Sequence, residues 1–133
     1  MDTFQLKVDG FDRVFYDAAA IQLQLPTIDG SRGVLAHHET AVVGIVPGCL
    51  RIQKEDGSWV TAVVSGGFAR IAADCVFVMV EEIALPEEID ELREQEELQR
   101  AKEELRQKHS ILEYQHAEAS MQRALARLRV KQM

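Results

Sequence analysis

The stretch ALPEEIDELRE, Ala84–Glu94, divides the chain into two parts of different character. All eight glycines and all three prolines of the 133 residues lie at or before Pro86. Upstream, alternating and β-branched runs are cut by turn residues. Downstream, the apolar residues recur at helical spacing. Proline suits the first turn of a helix, where its missing N–H has no partner. Glu87, Glu88, Asp90 and Glu91 then place negative charge at the positive end of the helix dipole. This reading sets a β domain over residues 1–85 and a helical segment over 86–133.

In the first part, Phe4, Leu6 and Val8 alternate with Gln5 and Lys7, and Ile21, Leu23 and Leu25 alternate with Gln22 and Gln24. Trp59–Val64 and Cys75–Val80 are rich in Val, Phe and Trp. Such alternation buries one face of a strand and wets the other. Turn signals stand between the runs at DGFD (9–12), DGSRG (29–33), PG (47–48), DG (56–57) and AAD (72–74). Short strands at that spacing predict an antiparallel β-sandwich or flattened barrel. Gly57 supplies the positive φ of a hairpin turn. Gly66-Gly67 interrupts a strand pattern and predicts a bulge or a sharp bend.

In the second part, Ile89, Leu92, Leu98, Ala101 and Leu105 form one apolar stripe. Tyr114, Ala117, Met121, Ala124, Leu125 and Leu128 form another. Ser110 and Glu113 between them read as a capping box. Two helices of about 20 residues, each about 30 Å long, therefore form an αα-hairpin. The stripes are thin and alanine-rich, so the hairpin needs a surface to lie on. Residues 87–104 hold nine acids against three bases, while 122–133 hold four bases and no acid. That polarity reads either as a solvated face with dipole-friendly cations or as a basic tip for an acidic partner.

The net charge of −7 argues against nucleic acid as a partner, since phosphate binding needs a positive field. No apolar run approaches the roughly 18 residues of a spanning helix, and the opening MDTFQLKV lacks the marks of a signal peptide. Cys49 and Cys75 sit in apolar runs and read as reduced core residues of a cytosolic protein. Phosphate-loop and nucleophile motifs are absent. His37 and His38 alternate in direction if they lie on a strand, so they read as structural or interface histidines rather than metal ligands. The acids Glu81-Glu82 read as strand-end solvation. No catalytic residue is assigned. Within IDELR, Asp90 and Arg93 are spaced for an i,i+3 ion pair. Alternatively Arg93, Arg123 and Arg127 converge from two helices on an anion.

Taken together, these features resemble the ε subunit of bacterial F-type ATP synthases along essentially the whole chain. GSRGVLAHHETAVVGIVPGCLRI resembles that family's G-x-x-G-[IV]-L-P-G-H segment through Gly30, Gly33, Val34, Leu35 and His38, with Ala36 and His37 in place of the proline and glycine. VSGGFARI (64–71) resembles its S-G-G-[FI] segment, and EEIDELR its E-[DE]-[IL]-D-x-x-R-A motif. The resemblance implies a non-catalytic central-stalk subunit that needs no cofactor and lies peripherally at the cytoplasmic face of the bacterial membrane, reaching it only through the complex. The sandwich would bind the γ subunit and the c-ring, with Leu35 and His38 at partner contacts. The hairpin would inhibit ATP hydrolysis by extending Arg123, Arg127, Arg129 and Lys131 toward the catalytic α and β subunits. In some members ATP holds the hairpin down; the matching positions are Ile89, Asp90, Arg93, Arg123 and Arg127. Glu94 stands where that motif has alanine, and a carboxylate there repels triphosphate, so weak ATP binding or none is expected. The rival readings are an unrelated sandwich adaptor with a helical dimerisation tail, and a small hydrolase or metal enzyme built around His38.

Overall fold

The structure, a computed structural model, describes residues 2–106 and 111–132, the side chains of 111–114 excepted. The Ser110–Glu113 capping box lies outside the described residues.

The first part folds into β1 (Phe4–Asp9), β2 (Val14–Thr27), β3 (Gly30–Leu35), β4 (Ala41–Ile45), β5 (Gly48–Lys54), β6 (Trp59–Val64), β7 (Gly67–Ile71), β8 (Cys75–Val80) and β9 (Ile83–Ala84). The hydrogen-bonded order is β4-β7-β8-β1-β2-β5-β6-β9, with β3 added to β2. This is a β-sandwich built largely from hairpins. One pairing departs from the antiparallel expectation: β1 runs parallel to β8, Leu6 opposite Val76 and Val8 opposite Val78. Strands so far apart in sequence have no hairpin to enforce opposite directions.

The alternation read from the sequence supplies the core. Leu6, Val8, Leu23, Leu25, Leu50, Ile52, Ile71 and Val78 are fully buried in one cluster. Each such side chain contributes about 1.5–3 kcal/mol by leaving water. The 14-residue β2 ties the layers together: its first half pairs with β1 and its second half with β3 and β5. The turn between β5 and β6 has Gly57 at φ 89°, the conformation that hairpin turns demand of a glycine. Gly67 follows a bend where the chain leaves β6 for β7. A Cβ there would lie 2.1 Å from the Met79 carbonyl oxygen, so only glycine lets β7 approach β8 this closely.

Past β9 the structure corrects the expected helix start. Pro86–Glu88 form a single 3₁₀ turn, Ile89 returns to extended backbone (φ −89°, ψ 123°), and α1 runs Glu91–Arg106. The break has two causes. Ile89 is buried against Val63, Ala126 and Val130, and an extended link turns it inward. Asp90 then caps α1, its Oδ1 accepting the Arg93 N–H at 3.2 Å, which satisfies an orphan helix donor. The second helix, α2, spans Ile111–Lys131. It packs along α1 and lies across β5 and β6, so the tail is a hairpin on the sandwich rather than one continuous rod.

The cysteines are corrected too: both are free, but Cys75 is exposed and Cys49 only half-buried. Each sits at or near a strand start outside the main core: Cys75 on the wet side of the alternation, Cys49 against the small cluster beneath α2.

Candidate functional site

The chemistry of the chain gathers where the hairpin meets the sandwich. Ala126 and Val130 of α2 pack on Val63 of β6 and on Ile89, with Cys49 and Ala84 at the margin. Beside this small apolar contact lies Arg127. Its guanidinium donates to Glu94 Oε2 at 3.0 Å, lies 3.5 Å from Glu97 Oε2, and pairs with Glu82 at the end of β8. Burial, the largest influence on Arg127, pulls its pKa down. The hydrogen bonds and attraction of Glu94 and Glu82 outweigh that and hold it above the ordinary arginine value. The side chain is therefore a permanent cation shared among α1, α2 and the sandwich.

Ser65 places the sandwich's share of this network. Its hydroxyl accepts the Glu82 N–H at 2.8 Å, while the Ser65 N–H donates to the Glu82 carbonyl at 3.1 Å. The buried serine of the SGG segment thus holds the β8–β9 junction in place beneath α2. A second anchor grips the link. Arg13 donates to both carboxylate oxygens of Glu88 and to the Ile83 carbonyl, each at 3.0 Å. Glu88 also accepts the Leu85 N–H at 2.9 Å. The Arg13 hydrogen bonds, then that of Leu85, hold the Glu88 pKa below the usual carboxylate value.

The residues predicted from sequence are distributed unevenly around this junction. Arg123 and Arg127 both line two clefts of ≈ 310 and ≈ 320 Å³, and Arg123 donates to Ser120 Oγ at 3.0 Å. Ile89 is core rather than cleft lining. Asp90 and Arg93 do not form the expected ion pair: the Asp90 carboxylate is turned to the Arg93 backbone, and the Arg93 side chain reaches Glu97 at 3.5 Å. The basic end of α2 is not a free tip. Lys131 Nζ donates to the Pro86 carbonyl at 3.3 Å, Arg127 is ion-paired, and Arg129 stands exposed with Nε near the Leu125 carbonyl. Leu92, placed in the apolar stripe from sequence, is 67% exposed, and Glu94 takes the buried position instead at 9%. Glu81-Glu82, read as solvation, includes a working partner of Arg127.

Leu35 and His38 sit apart from this junction, at the β3–β4 connection. Leu35 is exposed, and His38 Nδ1 lies 3.0 Å from the Glu39 carbonyl. Neither of these histidines lies on a strand: His37 is in the turn after β3, at φ 64°, and His38 is in the irregular stretch that follows. Among the described residues no group of three metal-ligating side chains comes together. No helix there is long and apolar enough to cross a membrane.

Sequence reading missed Arg13, Glu88 and Glu82. Arg13 and Glu88 are 75 positions apart, and no local spacing links them. Ser65, the hydrogen-bond partner of Glu82, is 17 positions away, so no local spacing marks Glu82 either.

Residues 3–86 match the family described as ATP synthase, Delta/Epsilon chain, beta-sandwich domain, and residues 87–132 match its long alpha-helix domain. A protein of Ruminiclostridium cellulolyticum named ATP synthase epsilon chain is 41% identical over 128 residues, covering 96% of this chain and 95% of that one. One of the same name from Caldicellulosiruptor bescii is 36% identical over 130 residues, covering 98% and 94%. Among solved structures, a chain of the Euglena gracilis mitochondrial ATP synthase (OSCP/F1/c-ring, rotational state 1) superposes with a TM-score of 0.82 at 25% identity, over 93% of this chain and 78% of that one. With both halves matched and close relatives aligned along nearly their whole length, the chain belongs to the ATP synthase delta/epsilon chain family.

Proposed function

We propose that the chain is the epsilon subunit of an F-type ATP synthase, a non-catalytic part of the rotor. In this reading the sandwich grips the γ subunit and touches the c-ring through the end bearing Leu35 and His38, passing rotation to ion translocation. The hairpin regulates. Lying on the sandwich it permits hydrolysis; released, it carries the arginines of α2 to the catalytic α and β subunits and inhibits. The chain reaches the cytoplasmic face of the bacterial membrane through the complex.

The observation that supports this reading is how little holds the hairpin down. Among the described residues, one small apolar cluster, one shared arginine and the Lys131 hydrogen bond to Pro86 hold it to a sandwich that has its own large core. A contact of that size can be exchanged for another surface at modest cost. The test is removal of residues 86–133 in the assembled ATP synthase. The truncated complex should assemble and hydrolyse ATP several-fold faster; unchanged hydrolysis overturns the brake.

We assign ATP at most a weak regulatory site at the junction. Arg127 already holds Glu94, Ile89 is buried and Arg93 points to Glu97, so of the five positions matching the ATP-binding members only Arg123 combines a cleft position with freedom from a carboxylate among the described contacts.

A further inference from the structure

Arg127 has three carboxylates that differ in their exposure to water. Glu94 and Glu97 belong to α1, and their side chains are 11% and 33% exposed; Glu82 belongs to the sandwich, and its side chain is 63% exposed. The two kinds of link therefore answer differently to ions. Screening acts on exposed pairs and much less on buried ones. The Glu94–Arg127 pair ties α1 to α2 from within a sheltered seam. The Glu82–Arg127 pair ties the hairpin to the sandwich through a carboxylate that solvent reaches. Among the described residues, the other ties of α2 to the sandwich and its link are the Val63–Ile89–Ala126–Val130 cluster and the Lys131 hydrogen bond to Pro86.

We propose that Arg127 is a charge-operated clasp with a strong and a weak side: the Glu82 side opens first, and the hairpin leaves the sandwich as an intact helix pair. The functional consequence rests on the movable hairpin proposed above; the clasp itself does not. Any anion that competes with Glu82, or any rise in ionic strength, shifts the hairpin toward release, while Glu94 keeps α1 and α2 together.

The chain carries its own reporter. Cys49 lies under the hairpin, against Val63 and α2, whereas Cys75 is exposed elsewhere. In a Cys75→Ser background, the rate at which the uncharged reagent N-ethylmaleimide alkylates Cys49 reads undocking, and far-UV circular dichroism reads helix content. The full-length chain is used throughout, with the urea-unfolded chain as the limit of full exposure. Glu82→Gln should speed Cys49 alkylation about three- to fivefold at low salt, the size expected for losing an exposed ion pair, with helix content unchanged. Raising salt from 0.05 to 0.5 M should speed alkylation of the parent and leave the Glu82→Gln rate flat. Arg127→Gln should exceed both. An alkylation rate in Glu82→Gln equal to that of the parent overturns the clasp. Loss of helix in Glu82→Gln overturns it as well, because the helix pair is then not independent of the sandwich link. Because Glu82→Gln spares the Glu94–Arg127 pair, it decides the matter even if Arg127→Gln unfolds the hairpin. No ATPase enters the assay, so its outcome stands apart from that of the truncation.

Discussion

In the sandwich, Leu6, Leu23, Leu25, Leu50 and Ile52 are fully buried in one cluster; in the helices, burial falls mainly on small residues, Ala101, Ala117, Ala124 and Ala126, with Leu128, Val130 and the charged Glu94 beside them. A leucine removes several times more apolar surface from water than an alanine does. Alanines instead let helices approach closely and leave their cohesion to ion pairs. The first region is therefore held by bulk burial, insensitive to salt. The second is held by a few directional charges and by the surface beneath it. Side-chain size thus separates a region held by its own core from one that depends on its neighbours.

Three substitutions bear on this contrast, in order of expected effect. Leu50→Ala should cost about 2–5 kcal/mol through the cavity it leaves. In a thermal melt both regions should then unfold together at the lowered temperature, since the hairpin leans on the sandwich. A helical signal that outlasts the sandwich would break the contrast. Glu94→Ala bears on the hairpin alone. It releases Arg127 from one of its three carboxylates and removes a negative charge beside an arginine that lines both clefts, so ATP affinity by calorimetry should rise roughly tenfold, equivalent to about 1.4 kcal/mol. Equal affinities for the two proteins would remove Glu94 from the account. The smallest effect is expected at His37→Gly. The imidazole-bearing residue holds a left-handed φ of 64° that costs a side chain about 1–2 kcal/mol. Glycine there should raise the melting midpoint of the sandwich slightly, after allowing for the lost exposed His37–Asp2 contact. A lowered midpoint would mean that this contact outweighs the backbone strain.

How much was legible depends on the range of the interaction. Phe4, Leu6 and Val8 announced β1 because a half-buried strand must alternate, and Gly57 announced its hairpin because the turn needs a positive φ. The residues Trp59–Val64 and Cys75–Val80 were read as strands with the boundaries they have. The parallel contact of β1 with β8 was not legible, since nothing local encodes a partner some 70 positions away. For the same reason Arg13 gave no hint of Glu88. In the tail, helical spacing put Leu92 inside and Glu94 outside, and the structure reverses them. The pattern counts apolar residues, whereas a glutamate with an arginine poised across the seam can be buried at little net cost. The pattern also missed that α2 is covered on two sides. Ala126 and Val130 face the sandwich, an arc too wide for the single stripe drawn through Ala117, Ala124 and Leu128. Arg123 and Arg127 were found because four-residue spacing on a helix does set two side chains beside each other.

Arg13 grips the Pro86–Glu88 turn from the sandwich side, and α1 is regular from Glu91 onward. Between those two stiff pieces lie only Ile89 and Asp90, so these two peptide units are the fulcrum of any swing. With 16 residues in α1, the far end of the lever would sweep, in the proposed release, an arc of about 24 Å radius. The reach of the arm is thus set by helix length, and its starting bearing by a single arginine near the other end of the sequence.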